Sequence, residues 1–579
     1  MFGSDAAAAA ELDRLAADCA AFAHGLPDLA TIAAPALAAV MAELGSLKHR
    51  TRRMRAFAEL RAAEDSRDLA AADLSSLIEQ RLPEIDDALR SFTLAWLALP
   101  DELAATLAGA AELDRDRHFL TSCRRFAPHT LTVGEESALA ARGSGAELAW
   151  RRFWFDVSSA LTLVCDLGDG EREQTISDLR AGLTDARPAV RATAHAGLSQ
   201  QSSHMAETAA RCLDAVVGDR LATDRLRGYD DPMLPTHLDN QLEPRSIEAM
   251  LSTIERRSDV WQRWMRIKAA QLGEETLAAC DRHAPIGEPP EIDYGQAVQA
   301  VTDSFAELSP QAERTVAAVF AECRVDAAPR PGKMGGAFCS EVDDRVGCFV
   351  LLNHTGRLFD AQVMAHELGH ALNFDRCFPL QSVHVATPTT AVCEVPSTLA
   401  ELMLCDGLHR RSTGSAERAA LIGSAIETAI GSVFDVAVAA EFEREIYALK
   451  ATGVTLTGDR LDEIWSRRRT AGLGDSVTGD SNSSDWAVFP HFLMYRFYMY
   501  SYAFACLVAL ALMARRRADP DGFATPYLEF LDRGGAASPA ELLEPLGIDL
   551  HDPGLWDEGL AELDRMMDEA EWELQRERG

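Results

Sequence analysis

Residues 366 to 370 read His-Glu-Leu-Gly-His within an apolar helical stretch that runs from Asp360 to Asn373, and this string restricts the chain more than any other. Side chains four apart share one face of an α-helix. His366 and His370 can therefore present two imidazoles to one metal ion, with Glu367 projecting beside them. The spacing suits zinc bound by nitrogen ligands with a water to be activated.

A hydrolytic zinc site takes a third protein ligand and leaves its fourth position to water. Glu394 is the candidate, 28 positions after His366, in Cys393-Glu394-Val395-Pro396-Ser397-Thr398-Leu399-Ala400-Glu401. From Ser397 onward the pattern is helical. Proline is tolerated in a first turn and not in an interior, so Glu394 is expected at the start of that helix, or the helix kinks there. Glu401 lies two turns further along the same face and is a candidate acceptor for the N–H of a ligand histidine. Cys339, Cys377, Cys393 and Cys405 lie near the motif, but two histidines and a carboxylate already complete the set.

Three further blocks bear on the reading. Arg330-Pro-Gly-Lys-Met-Gly335-Gly336-Ala337-Phe338-Cys339 precedes the apolar run Cys348 to Asn353, and 334 to 353 holds the strongest strand signals. Downstream, Trp486 to Phe504 contains His491 followed by Tyr495, Tyr498, Tyr500 and Tyr502. Weaker similarity reaches back through Arg227-Gly228-Tyr229 and the Trp150 to Phe155 segment. With His-Glu-x-Gly-His and Glu-x-(Ala/Pro)-Ser-x-x-x-Glu both present, the chain resembles the M3 metallopeptidases, in particular the oligoendopeptidase F branch. The resemblance spans about 110 to 579 and is strongest from 330 to 510. One position departs: many members carry a histidine three residues after the second ligand, and here it is Asn373.

The resemblance implies a mainly α, zincin-like, two-lobed fold with a deep substrate channel and a small β-sheet beside the motif helix. Amphipathic periodicity marks an N-terminal helical region over 1–112, and the resemblance implies an oligopeptidase F-like helical domain over 113–200 and an M3-like catalytic domain over 201–579. It also implies one Zn2+ per chain on His366, His370 and Glu394, Glu367 as general base, and short unfolded peptides as substrates. It further implies that His491 and one of the tyrosines, Tyr498 or Tyr502, stabilise the oxyanion, simple packing of these rings being the alternative. Tyr498 and Tyr502 are four apart and would share a helical face, while Tyr500 would point elsewhere. Gly335, Gly336, Ala337 and Phe338 are the candidate substrate-binding residues, because a strand edge with glycines lets an extended peptide pair through its backbone. A helical zinc carboxypeptidase and a peptide-binding pseudoenzyme are the rival readings.

Composition narrows the setting. The chain has 579 residues, and 56 basic against 90 acidic side chains leave a net charge of −34, which argues against nucleic acid or an anionic membrane as partner. The N-terminus lacks the basic and apolar regions of a secretory signal. The apolar run Phe497 to Ala514 carries three tyrosines and ends in Arg515-Arg516-Arg517, so a buried helix is expected instead of a bilayer span. Twelve cysteines without a Cys-x-x-Cys pair are expected as reduced thiols in a cytoplasmic protein. The aromatics from Trp150 to Trp154 are read as core in preference to a ligand platform. The polar stretch Thr470 to Asp485 is read as a substrate-contacting flap or a solvated connection.

Overall fold

The computed structural model describes residues 1–143, 145–479 and 482–578. The protein is mainly α-helical, with three small sheets among the described residues, and its backbone divides into two units. The first comprises Met1–Thr130, Glu291–Leu404 and Arg515–Asp549, and the second comprises Leu131–Pro290, Cys405–Ala514 and Leu550–Gly579.

The first unit opens with three helices, Asp5–Gly25, Ala34–Glu64 and Leu69–Leu97. Ala8, Leu12, Leu15, Cys19 and Phe22 recur at steps of three and four, so one face of the first helix is apolar. That face packs on Leu74, Ile78, Ile85, Phe92 and Trp96 of the third helix in a common core. Ser4 and Asp68 cap the first and third helices by accepting from backbone N–H groups of their first turns.

The same unit holds a three-stranded sheet made of β1 (Val325–Asp326), β2 (Phe338–Asp343) and β3 (Gly347–Leu351), in the order β1-β3-β2. β2 and β3 form an antiparallel hairpin in which Phe338 faces Leu351 and Cys339 faces Val350, and β1 pairs in parallel with β3. β2 is thus an edge strand. Both hairpin strands pack on the helix Leu358–Cys377, which carries the His-Glu-Leu-Gly-His string. The strand region is shorter than the 334 to 353 expected: Met334 to Ala337 form a bend, with Gly336 at φ +80°.

The second unit is organised on the 40-residue helix Pro188–Arg227, which ends at Gly228 in the left-handed conformation. Arg220 of that helix is buried and donates to Glu147, the Tyr447 hydroxyl and the carbonyls of Phe492 and Leu493, tying four segments together. The aromatic segment divides differently from expectation. Trp154 is core and donates through Nε1 to the Ala487 carbonyl, whereas Trp150, Phe153 and Phe155 lie on the outer faces of the helix Glu147–Ser159 and are exposed.

The helix Tyr500–Ala518 is buried along almost all its apolar length, as expected. Among the described residues the stretch long and apolar enough to cross a membrane is Ser415–Ala451, most of which is buried in the protein. The described residues of the Thr470 to Asp485 stretch include regular structure. They end the helix Gly458–Leu473, and Val477–Thr478 then pairs in parallel with Leu277–Ala278. Residues 480 and 481 of that stretch lie outside the described residues.

Candidate metal centre

The motif helix starts where Asp360 Oδ2 accepts from the backbone N–H of Arg357 (3.1 Å), the residue that caps the helix, and from that of Thr355 (2.6 Å) in the preceding turn. Met364, Ala365, Leu368, Ala371 and Leu372 bury its apolar face and hold its rotation about its axis. On the remaining face the rings of His366 and His370 stand 4.9 Å apart and nearly perpendicular, and Phe374 stacks on His370.

Glu394 comes from the helix Thr390–Arg411, which begins four residues before it and includes Pro396. Of the two expectations, a helix start at Glu394 is corrected, and the helix instead runs through the proline, at the cost of the backbone bond its missing N–H cannot make. Glu394 Oε2 lies 3.3 Å from His366 Nε2 and 3.5 Å from His370 Nε2. The three donor atoms all fall within 4.8 Å of one another.

The outer nitrogens of the two rings are also engaged. His366 Nδ1 is 2.5 Å from Glu401 Oε1, as the spacing predicts, and His370 Nδ1 is 3.7 Å from Cys393 Sγ. Each contact orients its ring so that Nε2 faces Glu394. Ser397 Oγ donates to the Glu394 backbone oxygen at 2.9 Å and to Oε2 at 3.2 Å, fixing the carboxylate from behind.

This donor set fits a metal ion. Ligand atoms around a tetrahedral zinc with bonds of about 2.0–2.1 Å stand roughly 3.3–3.4 Å apart, close to the 3.3 and 3.5 Å between Glu394 and the two imidazoles. Electrostatics agree: burial disfavours the charged form of His366, but Glu394 and Glu401 outweigh it and hold its pKa well above the ordinary value. Burial pushes Glu394 up, yet the two histidines bring it far below the usual carboxylate range. The site therefore favours positive charge between its three donors. Glu367, only 6% exposed, is pushed upward by burial, which suits a group that takes up a proton.

Sequence reasoning passed over Gly369, Ser397 and the Cys393 contact. A Cβ at Gly369 would lie 2.7 Å from the Pro396 carbonyl oxygen, so the glycine in the string lets the two helices approach. Asn373 points elsewhere: it is buried and donates through Nδ2 to the Leu531 carbonyl at 3.1 Å.

Gly335 and Gly336 are exposed with open space at the Cβ position, and Asn353 Nδ2 pins their segment by donating to the carbonyls of Met334 and Gly336, each at 2.9 Å. Ala337 follows in the bend, and Phe338 is the first residue of β2.

His491, Tyr498 and Tyr502 belong to the second unit, where they form an aromatic cluster. The His491 ring centroid is 6.1 Å from Tyr498 and 6.2 Å from Tyr502, and the two tyrosines are 5.1 Å apart, edge to face. Their common helical face is not what unites them. The helix begins at Tyr500, and Tyr498 lies in the turn before it because Phe497 adopts φ +49° and donates its N–H to Glu443 Oε1 at 3.0 Å. Tyr500 does point elsewhere, with its buried hydroxyl 3.1 Å from His237 Nδ1 and 3.3 Å from Asn240 Nδ2. Burial, and then Arg180, lower the pKa of His491, and its Nδ1 is buried without a hydrogen-bond partner.

A helix carrying two imidazoles, a carboxylate from a second helix and a buried free acid beside them define a metal-dependent hydrolase, and comparison with known proteins makes the class specific. The model of peptidase family M3 matches residues 183–562, and that of oligopeptidase F matches residues 96–162. The chain belongs to peptidase family M3 and is a metallopeptidase.

The plasmid oligoendopeptidase F of Lactococcus lactis subsp. cremoris is 22% identical over 575 residues, covering 97% of this chain and 95% of its own. Oligopeptidase PepF of Bacillus subtilis is 21% identical over 476 residues, covering 81% of this chain and 71% of its own. The fold is also that of solved structures. A protein of Chlamydophila abortus matches with TM-score 0.82 at 22% identity, over 98% of this chain and 97% of its own. Oligoendopeptidase-F of Enterococcus faecium matches with TM-score 0.74 at 17% identity, over 98% of each chain.

Proposed function

We propose that this protein is a zinc-dependent oligoendopeptidase that hydrolyses internal bonds of short, unfolded peptides, with one ion per chain held by His366, His370 and Glu394. The observation that carries the proposal is the placement of Glu394 Oε2 at 3.3 and 3.5 Å from the two imidazole Nε2 atoms. When bound, the ion would polarise the scissile carbonyl and acidify a water molecule.

The protein's own groups do the rest. Glu367 takes a proton from the attacking water and delivers it to the leaving amine, and burial raises its proton affinity above that of an ordinary carboxylate. Glu401 holds His366 in the tautomer that leaves Nε2 free. His491 and one of Tyr498 and Tyr502 supply hydrogen bonds to the developing oxyanion, a role supported by family resemblance and by the clustering of the three rings. The open Gly335-Gly336 bend and the edge strand β2 receive the peptide backbone, which gives binding tolerant of sequence. A reducing, cytoplasmic setting belongs to the proposal and is supported by the twelve cysteines, none of which is in a disulfide.

The test uses a flexible peptide of roughly ten residues, acetylated at one end and amidated at the other, and a folded protein as competitor. Internal cleavage that chelation abolishes and stoichiometric zinc restores is expected, while the folded protein resists because opening it costs on the order of 5 to 15 kcal/mol. A strict need for a free terminus would replace this reading with an exopeptidase.

A further inference from the structure

The second unit contains a cavity of about 420 Å3 whose wall includes Arg180, Arg282, Arg469, Asp435, Asp485 and Trp465. Arg282 Nη2 donates to both oxygens of Asp435 at 3.0 Å, and Arg469 Nη1 donates to Asp485 Oδ2 at 2.6 Å. Arg180 Nη2 reaches the Val488 carbonyl at 2.9 Å. Three guanidinium groups thus share two carboxylates, and the cavity wall keeps an excess positive charge in a chain whose net charge is −34.

Donors are in excess as well. Arg282 Nη1, Arg469 Nε and Trp465 Nε1 are all buried without a hydrogen-bond partner. Arg282 is 8% exposed and Arg469 is 7% exposed, so the protein has withdrawn both charged side chains from solvent and left N–H groups of each unmet. Buried donors without acceptors are unfavourable and seldom tolerated without a reason.

The backbone adds an independent sign. Gly431–Asp435 forms a π-helical turn between the helices Ser415–Ile430 and Val436–Ala451, and this turn delivers Asp435 to Arg282. Such insertions concentrate at functional sites because they disturb the regular helix bonding. A water molecule could meet single donors, but it leaves the excess charge uncompensated. A group that only accepts hydrogen bonds and carries negative charge meets both needs.

We propose that this cavity is a binding site for a small oxyanion, a carboxylate or phosphate group that accepts from Arg282, Arg469 and Trp465 and neutralises the guanidinium excess. Burial pulls the Arg180 pKa down, against the effect of Asp485, so an anion in the cavity would relieve a charge the protein holds at a cost.

The experiment titrates the full chain with inorganic phosphate and, separately, with acetate, at ionic strength held constant by sodium chloride. Thermal melting and tryptophan fluorescence are the readouts. Saturable stabilisation by at least one of the two is expected, since a ligand bound only by the native state raises its melting temperature. A response to phosphate alone assigns a phosphate-bearing ligand, and a response to acetate assigns a carboxylate. Trp465→Phe keeps the ring packed edge to face on Phe442 at 5.2 Å while deleting one donor, and Arg180→Gln removes a charge. Each should weaken binding by about tenfold, Trp465→Phe because a hydrogen bond to a charged group is lost and Arg180→Gln because a neighbouring positive charge is lost. If Arg180→Gln fails to fold by circular dichroism, Trp465→Phe decides alone. Absence of saturable binding by either anion beyond the chloride control, or unchanged affinity in the folded variants, overturns the proposal.

Discussion

Gly369 and Pro396 meet where the motif helix crosses the helix of Glu394, so closely that any Cβ on residue 369 would lie 2.7 Å from the proline carbonyl oxygen. Real carbon atoms do not sit at that distance from backbone, so the crossing requires glycine. The same crossing brings Glu394 to both histidines.

Gly369→Ala should therefore push the two helices apart and lower metal affinity without removing any ligand. A loss of about tenfold or more is expected, comparable to the roughly 10- to 100-fold effects of disturbing groups that orient metal ligands. Metal titration with a chelating competitor measures it. Unchanged affinity in a folded variant would show that the helices have slack at this contact.

Glu367→Gln should retain the metal and lose turnover. Proton transfer alone accounts for about 10²- to 10⁴-fold, and failure of water activation adds to it. Glu394→Ala should instead release the metal, because one of three donors is deleted. The pair of variants, assayed for bound zinc and for kcat, separates base from ligand, and full metal content in Glu394→Ala would reassign the third donor.

The tyrosines should divide by their partners. Tyr498→Phe and Tyr502→Phe, together with His491→Ala, are expected to lower kcat, by about 10²- to 10³-fold at the donor that contacts the oxyanion, with little change in KM or metal content. Tyr500→Phe should act on stability instead, since its buried hydroxyl contacts His237 and Asn240. Losing the buried hydrogen bond to His237 costs about 1–3 kcal/mol. Steady-state kinetics and melting curves on all four variants check the division. If no variant at 491, 498 or 502 reduces kcat, the cluster is structural.

Glu443 makes stability depend on pH. It is fully buried, burial raises its pKa from the ordinary 4.5 to about 7, and the N–H of Phe497 offsets this only in part. Below pH 4.5 both folded and unfolded chains hold the proton. Between 4.5 and 7 the unfolded chain releases it first, so the contribution to stability falls as pH rises and is fully lost above 7. Glu443→Gln can still accept from Phe497 and carries no charge, so it should gain stability over the natural chain above pH 7, by roughly 3 kcal/mol, and show no gain near pH 4. Melting temperatures of both proteins across this range provide the check, and a gap independent of pH would contradict the assignment.

The sequence by itself determined the local geometry of the centre. Helical periodicity placed His366 and His370 on one face and Glu401 in line with Glu394, because 3.6 residues per turn is a property of backbone hydrogen bonding and survives any tertiary setting. Family motifs likewise marked the β2–β3 hairpin and the His491 cluster. Tertiary structure alone decided the rest. The approach at Gly369, the Cys393 contact to His370 and the burial of Asn373 against the Leu531 carbonyl depend on which surfaces meet, and distant segments supply those surfaces. The turn at Phe497 shows the same division: spacing predicted one helical face for Tyr498 and Tyr502, but the Glu443 carboxylate holds the intervening backbone at φ +49° and brings the rings together outside a common helix. The exposure of Trp150, Phe153 and Phe155 beside buried Trp154 has the same cause, since hydrophobicity marks what can be buried, whereas only packing partners determine what is.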